Sequence, residues 1–389
     1  MAFHALAVKP DVYWVGAIDW SVRNFHGYST NRGSTYNAYL ILDDKITLID
    51  TVKAPFAQEL LERVASVIDP ARIDIVISNH AEPDHSGAIP AVARACPHAT
   101  FYASAPKGVA GLTSRYGQLP CQAARTGESI SIGRRTLRFF TTPMLHWPDN
   151  MVTYCPEDRI LYSNDGFGQH LATSERFDDE TDWAVLLQEA QKYYANILML
   201  YGKQAQRTVE AVSGLDIDLI ANGHGVLYRS HIKEILAAYR KWSAGETDHT
   251  GAVVYDTMWG STERLARTIA EAMSAAGIPT KLFDLREIHV SDIMTDLLTC
   301  EYLAVGSPTL NNQMMPSVEG FLGYFRGLSP RRHKAFAFGS YGWGGQSVPL
   351  VEKALEAAGC TIALPSIRAL DVPSEDQLEK IYEDVKTLG

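Results

Sequence analysis

The sequence predicts two domains of different class, an α+β region followed by an α/β region with a doubly wound parallel sheet. Three observations carry this. A chain of 389 residues has material for two or three cores. Its first part breaks into short apolar runs with intermittent helical patterns, whereas its last part alternates strand and helix regularly, as βαβ units do. Between them lies "KWSAGETDHTG", Lys241 to Gly251, polar and glycine-containing, which places the boundary at Asp248 and the domains at 1–248 and 249–389.

In chain order, "STYNAYLILDDKITLIDT" reads as a hairpin, with two apolar runs around Asp43-Asp44. "FAQELLERVASVI" has helical spacing and stops before Pro70. "RIDIVIS", Arg72 to Ser78, is an apolar run of the kind that forms a buried strand. "ATFYAS", "RTLRFFTT", "MVTYCP" and "RILYSND" are further strands, Thr181 to Val212 is helical, and "IDLIANGHG" is a strand running into a glycine-flanked histidine. Beyond the boundary come the strand "AVVYDT", the helix "STERLARTIAEAMSAAG", and the strands "TKLFDL" and "CEYLAVGSPT". The helix "SVEGFLGYFRGL", the strand "KAFAFGSYG", the helix "SVPLVEKALEAAG" and the strand "TIALPSIRAL" complete it. Five strands in this length suit the flavodoxin-like order.

Composition narrows the function classes. Apolar residues make up 46% and charged residues 21%, ordinary values for a globular protein. A net charge of -10 argues against nucleic-acid binding, which needs a basic face. The five cysteines are odd in number and none are spaced C-x-x-C, which excludes a cysteine-ligated rubredoxin-like or zinc-ribbon module here and makes a disulfide framework implausible. A reducing, cytoplasmic location is expected. The start lacks the basic and long apolar regions of a signal peptide, and no apolar run is long enough for a membrane span.

The chemistry concentrates in "NHAEPDHSG", Asn79 to Gly87, directly after the strand "RIDIVIS". It presents His80, Glu82, Asp84 and His85, side chains costly to bury unless paired or bound to something. Three more polar residues end strands: His146 in "TTPMLHWPDN", Asp165 in "RILYSNDGFG" and His224 in "LIANGHG". A lone histidine after a strand is more often a hydrogen-bonded structural residue, and His4, His98, His231, His249, His289 and His333 are read that way. Asp165 alone would pass for a turn former. Two histidines and two acids within six residues are harder to explain as solvated decoration.

Three loops at strand ends mark the C-terminal domain. Thr257, Met258, Trp259, Gly260, Ser261 and Thr262 form a strand-to-helix turn whose backbone N–H groups and hydroxyls suit a phosphate monoester, although Ser261 or Thr262 is equally explained as a helix cap. Pro308, Thr309, Leu310 and Asn311 lie in the second loop, and Ser340, Tyr341, Gly342, Trp343, Gly344 and Gly345 in the third. Glycines let backbone approach a flat ligand, against which Trp343 or Tyr341 would lie. No G-x-G-x-x-G is present, so the dinucleotide fingerprint is missing.

The order H-x-E-x-D-H, then H, D and H on a strand-rich domain resembles the metallo-β-lactamase superfamily, an αββα sandwich. With Glu at the third position and a flavodoxin-like domain behind it, the whole chain resembles a flavodiiron protein, or A-type flavoprotein. "HGYSTNRGSTYNAYLI", "NHAEPDHSG", "LHWPDNM", "SNDGFGQH" and "NGHG" stand in the expected order. The resemblance implies two irons, one on His80, Glu82 and His146, the other on Asp84, His85 and His224, with Asp165 bridging. The position of His85 is not bound in every member. It implies FMN on the three loops, and a pocket tyrosine at Tyr193 or its neighbour Tyr194, with Tyr193 preferred. His26 and His170 are further candidates beside the metals.

The implied activity is reduction of O2 to water, of NO to N2O, or both. Reduced FMN and a diferrous pair hold four electrons, as O2 requires; two NO need two. The implied electron donor is separate, a rubredoxin or reduced deazaflavin F420, and the implied assembly is a head-to-tail homodimer or a pair of such dimers. Hydrolases of the superfamily carry H-x-H-x-D-H and bind zinc, so one alternative is a zinc-dependent hydrolase with a fused flavin domain. Glu82 counts against it, because carboxylate-rich sites suit iron. The other alternative is a flavin- or iron-based redox sensor.

Overall fold

The computed structural model describes residues 3–330 and 333–389. The chain divides into two compact units, Met1–Tyr193 with Lys203–Arg240, and Tyr194–Gly202 with Lys241–Gly389. No described helix is long and apolar enough to cross a membrane.

The first unit is built on two sheets, of seven and five strands among the described residues. Tyr39–Ile41 and Thr47–Ile49 pair antiparallel, as the hairpin pattern predicts. Thr47–Ile49, Ile75–Ser78 and Thr100–Ser104 then run parallel. In the second sheet, Thr136–Thr141, Met151–Cys155 and Ile160–Asn164 form a meander, and Leu219–Asn222 lies parallel to Ile160–Asn164. The sheets meet in one apolar layer: Ile49, Ile75, Ile77 and Trp14 from the first, Phe139, Met151, Tyr162 and Leu219 from the second. Helices such as Ala57–Ala65, Lys107–Tyr116 and Trp183–Tyr193 bury one apolar face each, making the lactamase-like αββα sandwich. Strands buried on both faces read as continuous apolar runs, which is why Ile75, Val76 and Ile77 stand unbroken before Ser78.

The second unit holds one parallel sheet, in spatial order Thr280–Asp284, Asp248–Tyr255, Cys300–Gly306, Lys334–Tyr341 and a final edge. Numbered along the chain this is 2-1-3-4-5, the flavodoxin-like order. The expected last strand "TIALPSIRAL" is instead two short ones, Thr361–Ile362 and Ile367–Leu370, both paired with Lys334–Tyr341. Pro365 lies between them and has no N–H for the ladder, so the strand breaks there. Separate apolar layers fill the two faces, one around Phe321 and Val351, the other around Leu265 and Ile269. Helices Val290–Leu297 and Glu375–Lys386 were not predicted. The second opens with a capping box, Ser374 and Gln377, a signal available in the sequence.

Candidate metal centre

The first unit's candidate donors all leave strand tips or the loops beside them. His80 to His85 follow Ile75–Ser78, Asp165 follows Ile160–Asn164 and His224 follows Leu219–Asn222. His146 sits in the loop between Thr136–Thr141 and Met151–Cys155. All seven meet there. His80, Glu82, His146 and Asp165 each offer one donor atom within 4.8 Å of the others, and Asp84, His85 and His224 do the same. Asp165 is 1% exposed. Its Oδ2 lies 3.4 Å from His80 Nε2 and 3.6 Å from His146 Nε2. Its Oδ1 lies 3.0 Å from His85 Nε2 and 3.7 Å from His224 Nε2. One carboxylate therefore turns an oxygen to each cluster, as a bridging ligand must. Glu82 faces His80 at 3.1 Å and His146 at 3.0 Å, and Asp84 faces His85 at 3.3 Å and His224 at 3.2 Å.

The far ring nitrogens are held as well. His80 Nδ1 lies 2.9 Å from Asp149 Oδ2, and His224 Nδ1 lies 2.7 Å from the Thr35 carbonyl. Such partners set the tautomer and aim Nε2 inward. Asp149 was not singled out in the sequence, although "LHWPDN" contains it. It also accepts a hydrogen bond from the Ala81 N–H at 2.6 Å, so it ties the His146 loop to the His80 turn. Gly223 leaves room for His85: a Cβ there would come within 2.7 Å of the imidazole Cε1.

The electrostatics are those of a site built for cations. Burial alone would raise the Asp165 pKa, but His85, His80 and His146 hold it well below the usual carboxylate range. Burial works against the charged form of His85 too, yet Asp84 and Asp165 lift its pKa to about 9. Three buried carboxylates thus use imidazolium as their counter-charge wherever no metal supplies it. Asp84 Oδ1 is buried without a hydrogen-bond partner, an acceptor that a metal would satisfy. Four imidazoles and three carboxylates form a donor set harder than the nitrogen- and sulfur-rich sites zinc favours, and one that fits a pair of irons.

Three other predicted residues border this centre. His26 Nε2 is 2.8 Å from Glu82 Oε1. Tyr193 donates to Asp165 Oδ1 at 2.8 Å, while the adjacent Tyr194 belongs to the second unit and packs on Trp242 at 5.3 Å. His170, with Nδ1 2.7 Å from Ser34 Oγ, lies 5.1 Å from the Tyr193 ring and 4.8 Å from that of His224. Burial first, then the nearby His224, pushes its pKa well down, so it stays neutral. The histidines set aside lie elsewhere: His231 stacks on Trp183, His249 pairs with Glu301 and His289 caps Val290–Leu297.

In the second unit the three predicted loops stand at neighbouring strand ends. Gly260 occupies the N-cap of Ser261–Ala275 with φ 88° and supplies no side-chain cap, leaving the first-turn N–H groups open to an anion. Gly260 N–H itself donates to Thr257 Oγ1 at 3.1 Å. Thr262 Oγ1 and Ser340 Oγ are 2.8 Å apart, joining the first loop to the third. The Thr309 N–H reaches the Ser340 carbonyl at 3.1 Å, joining the second to the third. Asn311 takes φ 50° and Gly345 φ 74° in those loops. Met258, Trp259 and Trp343 are exposed, the two tryptophans by 94% and 92%, so neither ring is committed to the core. Tyr341 is half-buried under Arg368, whose guanidinium lies 5.0 Å from its ring.

Comparison with known proteins agrees with both units. Residues 35–225 match the ODP family beta lactamase model and residues 253–384 match Flavodoxin. A nitric oxide reductase of Moorella thermoacetica is 41% identical over 97% of this chain and 96% of its own. The chain belongs to the flavodiiron protein family. A rubredoxin-oxygen oxidoreductase of Megalodesulfovibrio gigas is 40% identical over 96% of this chain and 94% of its own. The crystal structure of the flavodiiron protein from Giardia intestinalis superposes with a TM-score of 0.96 at 38% identity, covering 100% of this chain and 96% of that one. As a flavodiiron protein the chain is an oxidoreductase, with FMN and a di-iron pair as its cofactors.

Proposed function

We propose that this flavodiiron protein is a terminal reductase of O2, NO or both, taking electrons from a separate rubredoxin or reduced F420 through FMN. His80, Glu82 and His146 hold one iron, Asp84, His85 and His224 the other, and Asp165 bridges them. The sixteen residues of the three C-terminal loops, Thr257–Thr262, Pro308–Asn311 and Ser340–Gly345, cradle the FMN. The observation that carries the reading is Asp165, buried, with one oxygen toward each donor cluster. Support also comes from relatives named for NO and O2 reduction and for rubredoxin.

Bound iron supplies the redox chemistry, and the chain's residues shape its surroundings. Asp149 and the Thr35 carbonyl keep His80 and His224 aimed inward. The Tyr193 hydroxyl donates to Asp165 Oδ1 and holds that carboxylate in register. Neutral His170 and the Phe25 ring, 4.6 Å apart, help keep water from the His224 side. A cytoplasmic location, a domain boundary near Asp248 and a head-to-tail homodimer, or a pair of them, belong to the same proposal.

The test is anaerobic reduction of iron- and FMN-loaded protein, followed by separate addition of O2 and of NO. Many turnovers are expected, yielding water without released peroxide, or N2O. Zinc in both positions with ester or thioester turnover would instead support a hydrolase.

A further inference from the structure

Asp50 is a buried carboxylate that takes no part in either donor cluster, 3% exposed, at the tip of the strand Thr47–Ile49. It has φ 56°, an uncommon conformation for a non-glycine residue. Its Oδ1 accepts the Asn79 N–H at 2.7 Å, and its Oδ2 accepts Asn79 Nδ2 at 3.0 Å and Asn164 Nδ2 at 3.2 Å. Asn79 immediately precedes His80, and Asn164 immediately precedes Asp165. The Asn164 carbonyl in turn accepts the N–H of Gly223, the residue before His224, at 2.6 Å. Next to Asp50, Thr51 gives both its N–H, at 2.9 Å, and its hydroxyl, at 2.7 Å, to the carbonyl of His85.

One dipeptide thus reaches, directly or through Asn164, the backbone beside four of the seven donors. These include His80 from the first cluster, His85 and His224 from the second, and Asp165 between them. We propose that Asp50 and Thr51 are positioning residues that set the separation of the two irons. The proposal rests on the di-iron reading. The carboxylate accepts from two different segments at once, and the side-chain and backbone donors of Thr51 converge on the short helix Pro83–Ser86, further along the first of them. The segments are therefore held relative to one another whether or not a cation is bound. The pair serves donor-bearing segments that follow strands of both sheets. Outer partners of metal ligands typically change metal affinity by about 10–100-fold when removed.

The test uses full-length FMN-containing protein loaded with Fe(II). Asp50→Asn preserves shape but turns an N–H2 toward groups that are themselves donors. Thr51→Val removes the hydroxyl alone, and Asn164→Gly removes one link where φ is 50°, a conformation glycine adopts freely. Iron per chain is measured against a competing chelator, and the magnetic coupling of the two irons by electron paramagnetic resonance of the mixed-valent pair formed when substoichiometric ferricyanide removes one electron from the diferrous pair. Melting temperature and flavin content are recorded alongside. Asp50→Asn is expected to lower iron affinity about 10–100-fold and to weaken the coupling in the fraction still loaded, with flavin content unchanged. Thr51→Val and Asn164→Gly should move both readouts the same way by less, and they decide the matter should Asp50→Asn not fold. A coupled pair of unchanged affinity in the folded variants overturns the proposal even where melting temperature falls. Wild-type protein that binds no iron pair overturns the di-iron reading, and this proposal with it.

Discussion

The two units present their candidate sites in opposite ways. In the first, seven donors are side chains withdrawn from water, with Asp165 only 1% exposed and His146, the most open, at 11%. In the second, the loops lie at the surface and present the uncapped N–H groups of a helix start, hydroxyls and two exposed tryptophans. The difference follows from charge. Three carboxylates cannot be sealed in a low-dielectric interior without a counter-charge fixed in place, so the fold itself has to bring the donors together. A phosphate needs only a helix start with open N–H groups, and a flat ring needs a groove, so that cradle stays wetted when empty.

The strongest way to break this comparison is Asp165→Ala. It removes the one group shared by both clusters and leaves Glu82 and Asp84 each among histidines. Iron binding as a pair, and gas reduction with it, should fall by more than about a hundredfold, beyond what loss of an outer partner costs. Flavin content, measured by absorbance, should not change. Full turnover with a stoichiometric iron pair would show that the clusters do not depend on a bridge.

Histidine titration sharpens the comparison next. Carboxylates lift the His85 pKa to about 9, whereas in the second unit burial against Phe325 drives His333 down to about 4. His333 is thus neutral in the folded unit and binds a proton more readily once unfolded. Its contribution is fully present above the unfolded value near 6.5 and is lost as pH falls toward 4. The loss amounts to about 3 kcal/mol at the acid end. His333→Leu should change stability by less than about 1 kcal/mol at pH 7 and remove most of that acid dependence. Denaturant melts followed by flavin release at several pH values measure it; an unchanged acid slope would assign the dependence elsewhere.

The sequence disclosed these features unevenly, for physical reasons. Strands buried on both faces write themselves as apolar runs, so "IVIS" and "LIAN" could be read, and the donors stand directly after them. Asp149 and Asp50 were invisible as functional residues. Each acts through a contact with a residue far away in the chain, His80 and Asn164, and no local spacing encodes that. Tyr193 and Tyr194 could not be separated by pattern, because both are buried. The helical run around them is also irregular: Trp183–Tyr193 is α-helical, Tyr194–Leu198 widens to a π-helix and Met199–Tyr201 tightens again. A period of 3.6 does not carry through such a segment.

Thr262→Val tests the flavin side with a smaller effect. Its hydroxyl lies at the open helix start and bonds Ser340, so it joins two loops and offers a donor to a phosphate. A hydrogen bond to a charged group contributes about 1.5–3 kcal/mol, so FMN affinity should weaken roughly tenfold or more while iron content holds. Fluorescence titration of flavin-free protein with FMN measures it. An equal affinity would place the phosphate elsewhere on the sheet edge.

The smallest effect should separate two adjacent residues. Tyr193 closes the first segment of the first unit and donates to Asp165; Tyr194 opens a segment, Tyr194–Gly202, that belongs to the second and lies against Trp242. Tyr193→Phe deletes one hydroxyl and leaves every metal donor in place. Iron content should therefore hold, while turnover falls about fivefold, the equivalent of about 1 kcal/mol for one net hydrogen bond. Tyr194→Phe should leave turnover unchanged, because its ring packing survives and Asp165 keeps its partner. If Tyr194→Phe slows gas reduction and Tyr193→Phe does not, the hydroxyl that matters lies on the flavin-bearing unit. The sharp division between a side-chain metal site and a backbone-lined flavin site then fails at this residue.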